Sequence, residues 1–426
     1  MANLHQTLTQ RVNTALHFPA FRSRNFRFYF LGQSLSLSGT FMTQVAVPWL
    51  IYDVTHSAWL LGLAGFLGFL PALVLTPFSG VLSDRWSRHY VLTLVQLFGM
   101  TVSGSLTALV FTGMASFPSL LILSVLLGIV KGIDMPIRHA FVSDIVSDRA
   151  DLTNAIALNS IMLSSSRLMG PAIGGILLAT VGAGFCFLFD TLSYLGAIWA
   201  LASMRVVDQS IAKQNTNPWK SLQEGFSYVY TFLPVRTILI LLSMQGLFGI
   251  SYMAVLPIFA ADILQGGAGA LGFLSASGAV GSVIACAYLS QRRGIAGLER
   301  IIGFCPAAIG IGLIAFSYSR SFFLSVLILI FVGAAGTMQV ACSNTVIQSI
   351  VEDSKRGRVM SFYALSLVGM MPLSNLLAGS LAHAFGAPRA LLVCAIACIL
   401  GSIWFVRQLP VLTRSIRVAD QQAKSV

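Results

Sequence analysis

Four ionisable residues lie inside long apolar stretches of this chain: Lys131, Asp134, Arg167 and Asp190. In lipid such groups are costly, and they almost always face a protein interior, a partner or a solute path. Cations there can attract an anionic solute, and a buried carboxylate can take up and release a proton. Lys131 and Asp134 are three residues apart, so they share a helix face, with Arg138 one turn further on. Arg167 and Asp190 fall at similar depths in the next two stretches. A purely structural reading pairs Lys131 with Asp134 and Arg167 with Asp190 as buried ion pairs. Asp53 and Asp262 end their stretches and read as caps or anchors.

Uncharged polar residues repeat at helical spacing on four other stretches. Gln33, Leu37, Thr40 and Gln44 form one stripe, and Gln245, Phe248 and Tyr252 a second. Gln339 and Ser343 form a third, and Tyr363, Ser366, Met370 and Ser374 a fourth. Such groups cost free energy against lipid, so these faces should point inward, lining a cavity or bonding between helices.

These residues need a membrane scaffold. The chain has 426 residues, 56% hydrophobic and 9% charged, with mean hydropathy +0.83. A soluble domain of that size could not hide so much apolar surface. Twelve apolar spans are expected, the first over 28–52 and the last over 388–409. If odd-to-even connections face outward, 22 of the 26 Lys and Arg fall on the cytoplasmic side, as the positive-inside rule requires. The net charge of +12 therefore reads as orientation in the membrane. Nucleic-acid binding fits poorly, because the bases are spread over seven short segments. Residues 1–25 lack an apolar core before a cleavage site, so the first span should serve as an uncleaved anchor. All six cysteines lie in predicted spans, and neither a metal site nor a cofactor is expected.

The chain divides into a cytoplasmic tail (1–27), a six-helix half (28–204), a cytoplasmic linker (205–236), a second six-helix half (237–409) and a cytoplasmic tail (410–426). Weak self-similarity relates the halves. Pro48 and Asp53 are echoed by Pro257 and Asp262, and Ser83-Asp84-Arg85 by Ser290-Gln291-Arg292. Parallel repeats of this kind place a solute site between the halves, near mid-membrane.

Between the second and third spans runs Gly80-Val-Leu-Ser-Asp84-Arg85-Trp-Ser-Arg88-His89. Gly80, Asp84, Arg85 and Arg88 match the loop motif of major facilitator transporters, with Ser87 in place of a glycine and His89 in place of a second base. In the fifth span, Gly170-Pro171-Ala-Ile-Gly174-Gly175 resembles the end of a motif frequent in exporters of that superfamily, although Ser166 stands where an upstream glycine is expected. Small residues there allow close helix packing, and Pro171 bends the helix. With Gln348, Gly357-Arg358, Tyr363, Gly369, Pro372 and Gly379, the chain resembles the enterobactin-exporter branch of the superfamily. The resemblance implies an all-α, twelve-helix, two-half fold. It also implies a gate in which Asp84 meets the next half near Gly357 and Arg358, and Arg88 pairs with Asp144.

Phosphate-binding loops, nucleophile elbows and metal clusters are missing from the sequence, so neither an enzyme nor an ATP-driven pump is expected. The expected function is proton-linked export of a small amphipathic or anionic compound, such as a siderophore or drug. The protein would work as a monomer in a bacterial inner membrane, with both termini cytoplasmic. An importer or lipid flippase on the same fold, or a non-transport sensor or scaffold, are the alternatives. Asp134 is preferred to Asp190 as proton carrier, because the fourth helix commonly lines the cavity in this superfamily.

Overall fold

Lipid offers the backbone no hydrogen bonds, so a spanning chain must close its own in helices or in a sealed barrel. This chain uses helices. The computed structural model describes residues 19–146, 148–204, 226–292, 294–295 and 297–425, with the side chains of 77–78, 80–85, 149, 353–354 and 416–425 outside that description. No strand occurs among the described residues. Six helices come first: α1 (Arg24–Thr55), α2 (Ala58–Arg85), α3 (Arg88–Phe111), α4 (Phe117–Ile145), α5 (Leu152–Thr180) and α6 (Ala183–Ala202). The later ones are α7 (Leu233–Ile263), α8 (Gly267–Ser290), α9 (Leu298–Tyr318), α10 (Phe322–Ile350), α11 (Lys355–Phe385, broken at Gly369) and α12 (Ala387–Ser425).

By length and composition, 11 of these helices can cross a membrane, and α1 is not among them. At 32 residues it is long enough. Its Gln33, Ser36 and Thr43 lower its apolarity, and all three are buried inside the bundle, between 2% and 4% exposed. Other expected boundaries move as well. Phe226–Thr231 is already helical, which shortens the expected linker, while 205–225 lie outside the described residues. The expected tail from 410 is the end of α12, with Pro410 inside the helix. The expected N-terminal tail ends in a docked turn. There the Ala20 N–H donates to Asn154 Oδ1 at 3.3 Å, and the Ser23 hydroxyl donates to the Ile145 carbonyl at 2.7 Å.

Packing sorts the helices into two sets. α1 lies against α5 and α6, α2 against α4, and α3 against α4 and α6. α8 lies against α10, α9 against α10 and α12, and α7 against α12. The sets meet where α5 crosses α8 and where α2 crosses α11. Glycine makes both crossings possible. A Cβ built on Gly175 would lie 2.4 Å from Gly272 Cα, and one on Gly379 would lie 2.5 Å from Gly62 Cα. Within the sets the pattern repeats: a Cβ on Gly128 or on Gly333 would lie 2.2 Å from the carbonyl oxygen of Gly68 or Gly278. Gly62 and Gly68 of α2 recur, with one displacement along the chain, as Gly272 and Gly278 of α8.

The apolar core is shared at one end only. Near the α1–α2 and α7–α8 turns, residues of both sets form one cluster, from Val47 and Tyr52 to Leu256 and Phe259. Toward the termini each set keeps its own core. One is built around Phe26, Tyr29 and Phe141, the other around Ile238, Ile302 and Val346. The seam between the sets is thus sealed by hydrophobic contact at one end and divided at the other.

Gly175→Val and Gly62→Val should each destabilise the purified protein by about 1–3 kcal/mol, read as a lower Tm, because the added atoms meet backbone that cannot yield. Gly357→Ala should cost nothing by the same measurement, since a Cβ there meets no atom within 4 Å.

Candidate functional site

The intramembrane charges are partnered differently from expectation. On α4, Arg138 Nη2 lies 3.2 Å from Asp134 Oδ2. Gln96 of α3 donates from Nε2 to Asp134 Oδ1 at 3.0 Å, and Ser36 of α1 donates to Gln96 Oε1 at 3.3 Å. The acid is therefore tied into three helices. The expected Lys131–Asp134 pair is replaced, because an acid four residues before a base lines up better than a base three residues before an acid. The Lys131 ammonium sits instead over the Phe69 ring, 5.3 Å from its centroid, a cation–π contact with α2.

Asp190 is fully buried on the face of α6 that meets α1 and α3. Thr43 of α1 and Ser103 of α3 both donate to its Oδ2 at 2.8 Å. Oδ1 has no hydrogen-bond partner among the described residues. Gly39 permits this approach, since a Cβ there would lie 2.7 Å from Asp190 Oδ1. The expected Arg167–Asp190 pair does not form. The Arg167 guanidinium lies over Phe41, 5.9 Å from the ring centroid, and keeps exposed surface. Sequence depth placed the two at one level, but their helices turn them to different neighbours. Lys131 and Asp190 lie near enough to interact electrostatically without touching.

The polar stripes differ in how their residues are partnered. Neither amide atom of Gln33 finds a hydrogen-bond partner among the described residues, although the residue is 2% exposed. Gln44 is exposed. Gln245, Gln339 and Tyr363 instead bond to backbone carbonyls of neighbouring helices. Their partners are Gly336 at 3.1 Å, Leu241 at 3.5 Å and Val340 at 2.9 Å. Tyr252 is buried beside Gly278. The displacement that relates Gly128 to Gly333 also relates Lys131, Asp134 and Arg138 to Gly336, Gln339 and Ser343. The charges of α4 thus have neutral counterparts on α10.

At the loop motif, α2 continues as helix to Arg85, while the side chains of Gly80, Asp84 and Arg85 lie outside the described residues. Arg88 Nη1 lies 2.8 Å from Asp144 Oδ1 and 3.0 Å from Oδ2. The two departures from the motif both have work to do. Ser87 is the N-cap of α3 and accepts from the Tyr90 N–H at 3.3 Å. His89 Nε2 lies 2.9 Å from the Leu201 carbonyl oxygen, which ties α3 to α6. Gly357 and Arg358 lie in the first turns of α11. In the exporter-like motif, Gly170 and Gly174 fit against Phe41 and Met42 of α1, and Gly175 fits against α8. Pro171 is accommodated within α5.

Several contacts had no signal in the sequence. Thr43, Ser103, Phe41 and Phe69 are ordinary residues of membrane spans until a fold brings them to a charge. Tyr52 is another. Its hydroxyl donates to Asp262 across the sealed end of the seam, so Asp262 is not the simple cap or anchor expected.

The model of the transmembrane secretion effector family matches residues 15–424. The chain belongs to this family of major facilitator transporters. Its relatives include the staphyloferrin A transporter of Staphylococcus aureus, 24% identical over 90% of this chain and 96% of that one. The enterobactin exporter of Shigella boydii is 26% identical over 78% of this chain and 79% of that one. A bacterial homologue of the lysosomal transporter Spinster has the same fold, with a TM-score of 0.64 at 15% identity over 94% of this chain and 98% of that one. A POT family transporter in complex with 5-aminolevulinic acid gives 0.71 at 12% identity over 92% of this chain and 97% of that one. These relatives are transporters, and this transporter likewise is not an enzyme.

Arg138→Gln should lower the yield of folded protein more than Lys131→Gln. It leaves a partly buried carboxylate without its ion pair though still bonded to Gln96, a loss of about 1–3 kcal/mol, whereas Lys131 leaves only a ring behind. Size-exclusion profiles and thermal unfolding of the two variants make the comparison.

Proposed function

We propose that this chain is a proton-linked exporter of a small amphipathic or anionic compound, of the siderophore or drug type, working by alternating access. Twelve spans form two parallel six-helix halves, with both termini cytoplasmic. The matched glycine crossings on α2 and α8 and on α4 and α10 support the two-half reading. The observation that carries the mechanism is the seam. One shared hydrophobic core closes it near Tyr52 and Asp262, and separate cores leave it divided toward the termini. Two halves in rigid contact at one end only can rock to expose a site between them to either side in turn.

Lys131 and Arg167 draw the anion. Each is held by an aromatic ring rather than by a carboxylate, so its charge is free for a solute. Gln33 offers it an amide. Asp190 is the better proton carrier of the two acids, contrary to the initial preference. Asp134 is committed to Arg138, whereas hydroxyl partners serve a carboxylate and a carboxylic acid alike. When the terminal end closes, Asp84 meets the start of α11 near Gly357 and Arg358, where the helix N-terminus favours an anion. The Arg88–Asp144 pair anchors that loop to α4. The relatives named for siderophore transport and export support the substrate class and the direction.

Energised inverted vesicles, challenged from outside with a panel of siderophores and drugs, test the reading. Accumulation should fall by roughly tenfold or more for Lys131→Gln, Arg167→Gln, Asp190→Asn and Asp84→Asn, the scale expected when one charged contact is lost. Wild-type flux per folded molecule in all four would reduce these residues to scaffold. Accumulation only in vesicles of the opposite orientation would make the protein an importer.

A further inference from the structure

The sealed end of the seam holds a titratable contact. Tyr52 is 6% exposed, with its ring in the core shared by the two sets and its hydroxyl reaching the exposed carboxylate of Asp262. This hydrogen bond joins the last turn of α1 to the end of α7, and so one set to the other. The remaining described contacts at that end are glycine crossings and apolar packing. Beside it opens a cavity of about 420 Å³, lined by Tyr52, His56, Asp262 and His383 among others. Water and protons from that side therefore reach the carboxylate directly. His56 caps α1 in the left-handed region at φ 46°, which sets its ring edge-on to Tyr52 at 5.9 Å.

We propose that Asp262 is a proton-binding site and that, with Tyr52, it forms a proton-released latch on the outer gate. Ionised Asp262 accepts a charge-assisted bond from the Tyr52 hydroxyl and holds the halves closed. A proton arriving from the outside makes the acceptor neutral, and the bond loses about half its strength. That loss shifts a two-state gate by about tenfold toward opening. The other ionisable groups around the site are Asp53 and His56 of α1, His383 of α11 and Arg389 of α12; the start of α2 and the start of α8 present none. Positive charge on either histidine would favour the ionised acid and oppose release. The carboxylate must therefore dominate the response.

The latch rests on the alternating-access reading but not on the direction of transport or on any substrate. Ala382 is 5% exposed and lines the cavity from α11, so Ala382→Cys reports the gate. The full chain, with exposed Cys286→Ser as background, is labelled in right-side-out vesicles with an impermeant pyridyl disulfide, which reacts with thiols in acid, at external pH of about 7.5 and about 3, a range that brackets the ordinary aspartate value. Labelling, corrected for reagent reactivity, should rise about tenfold on acidification. Asp262→Asn should label fast at both pH values, and Tyr52→Phe fast at the higher one. Asp262→Glu should restore the step, and His56→Gln and His383→Gln should keep it. A step that survives in Asp262→Asn, or one that vanishes in the histidine variants, overturns the proposal, as does slow labelling of Tyr52→Phe at the higher pH. Loss of the step with solute exchange intact removes the latch alone. A normal step with no exchange of any solute removes the transport reading instead.

Discussion

Close approach of helix backbones is the constraint on which the rest of this structure depends. Lipid gives helices no hydrophobic reason to associate, so contact must come from packing and from polar groups with nowhere else to go. Glycine supplies the first at Gly62, Gly175, Gly272 and Gly379, where the halves touch backbone to backbone. It also sets up the second. Without Gly39, α1 could not lie close enough to α6 for Thr43 to reach Asp190.

The sealed and divided ends of the seam differ in the kind of contact they use. Hydrophobic packing and small residues close one end, so that end can separate without stranding many charges. At the other end each set has a core of its own. An alternating-access protein needs both properties, because each of its states must be stable with one end open.

Charge is distributed unevenly over a repeated frame. Lys131, Asp134 and Arg138 on α4 have neutral counterparts on α10 by position along the chain, and Asp190 lies in the same set as α4. The charges on α4 and α6 thus lie in one set of helices, while Asp262 and the buried Glu299 lie in the other. In that other set, Gln245, Gln339 and Tyr363 bond to backbone carbonyls of neighbouring helices.

The sequence by itself determined the class and the frame. Composition required lipid as solvent, hydropathy marked the helices, and Gly80, Asp84, Arg85 and Arg88 pointed to the superfamily. These signals are local or additive along the chain, so no fold was needed to see them. It also picked out Arg88 with Asp144, a pair the structure holds at 2.8 Å. Only the tertiary structure decided which polar groups meet. Spacing made Lys131 and Asp134 neighbours on one face, but side-chain direction gave Asp134 to Arg138. Depth matched Arg167 to Asp190, but helix rotation gave Asp190 to Thr43 and Ser103 and left Arg167 on Phe41. The polar residues Gln33, Ser36 and Thr43 of α1 proved to face protein, which the span alone did not show. Tyr52 and Asp262 ended separate spans with nothing in either segment to join them. Depth along a helix can be read from sequence, but the direction a side chain faces depends on what packs against it.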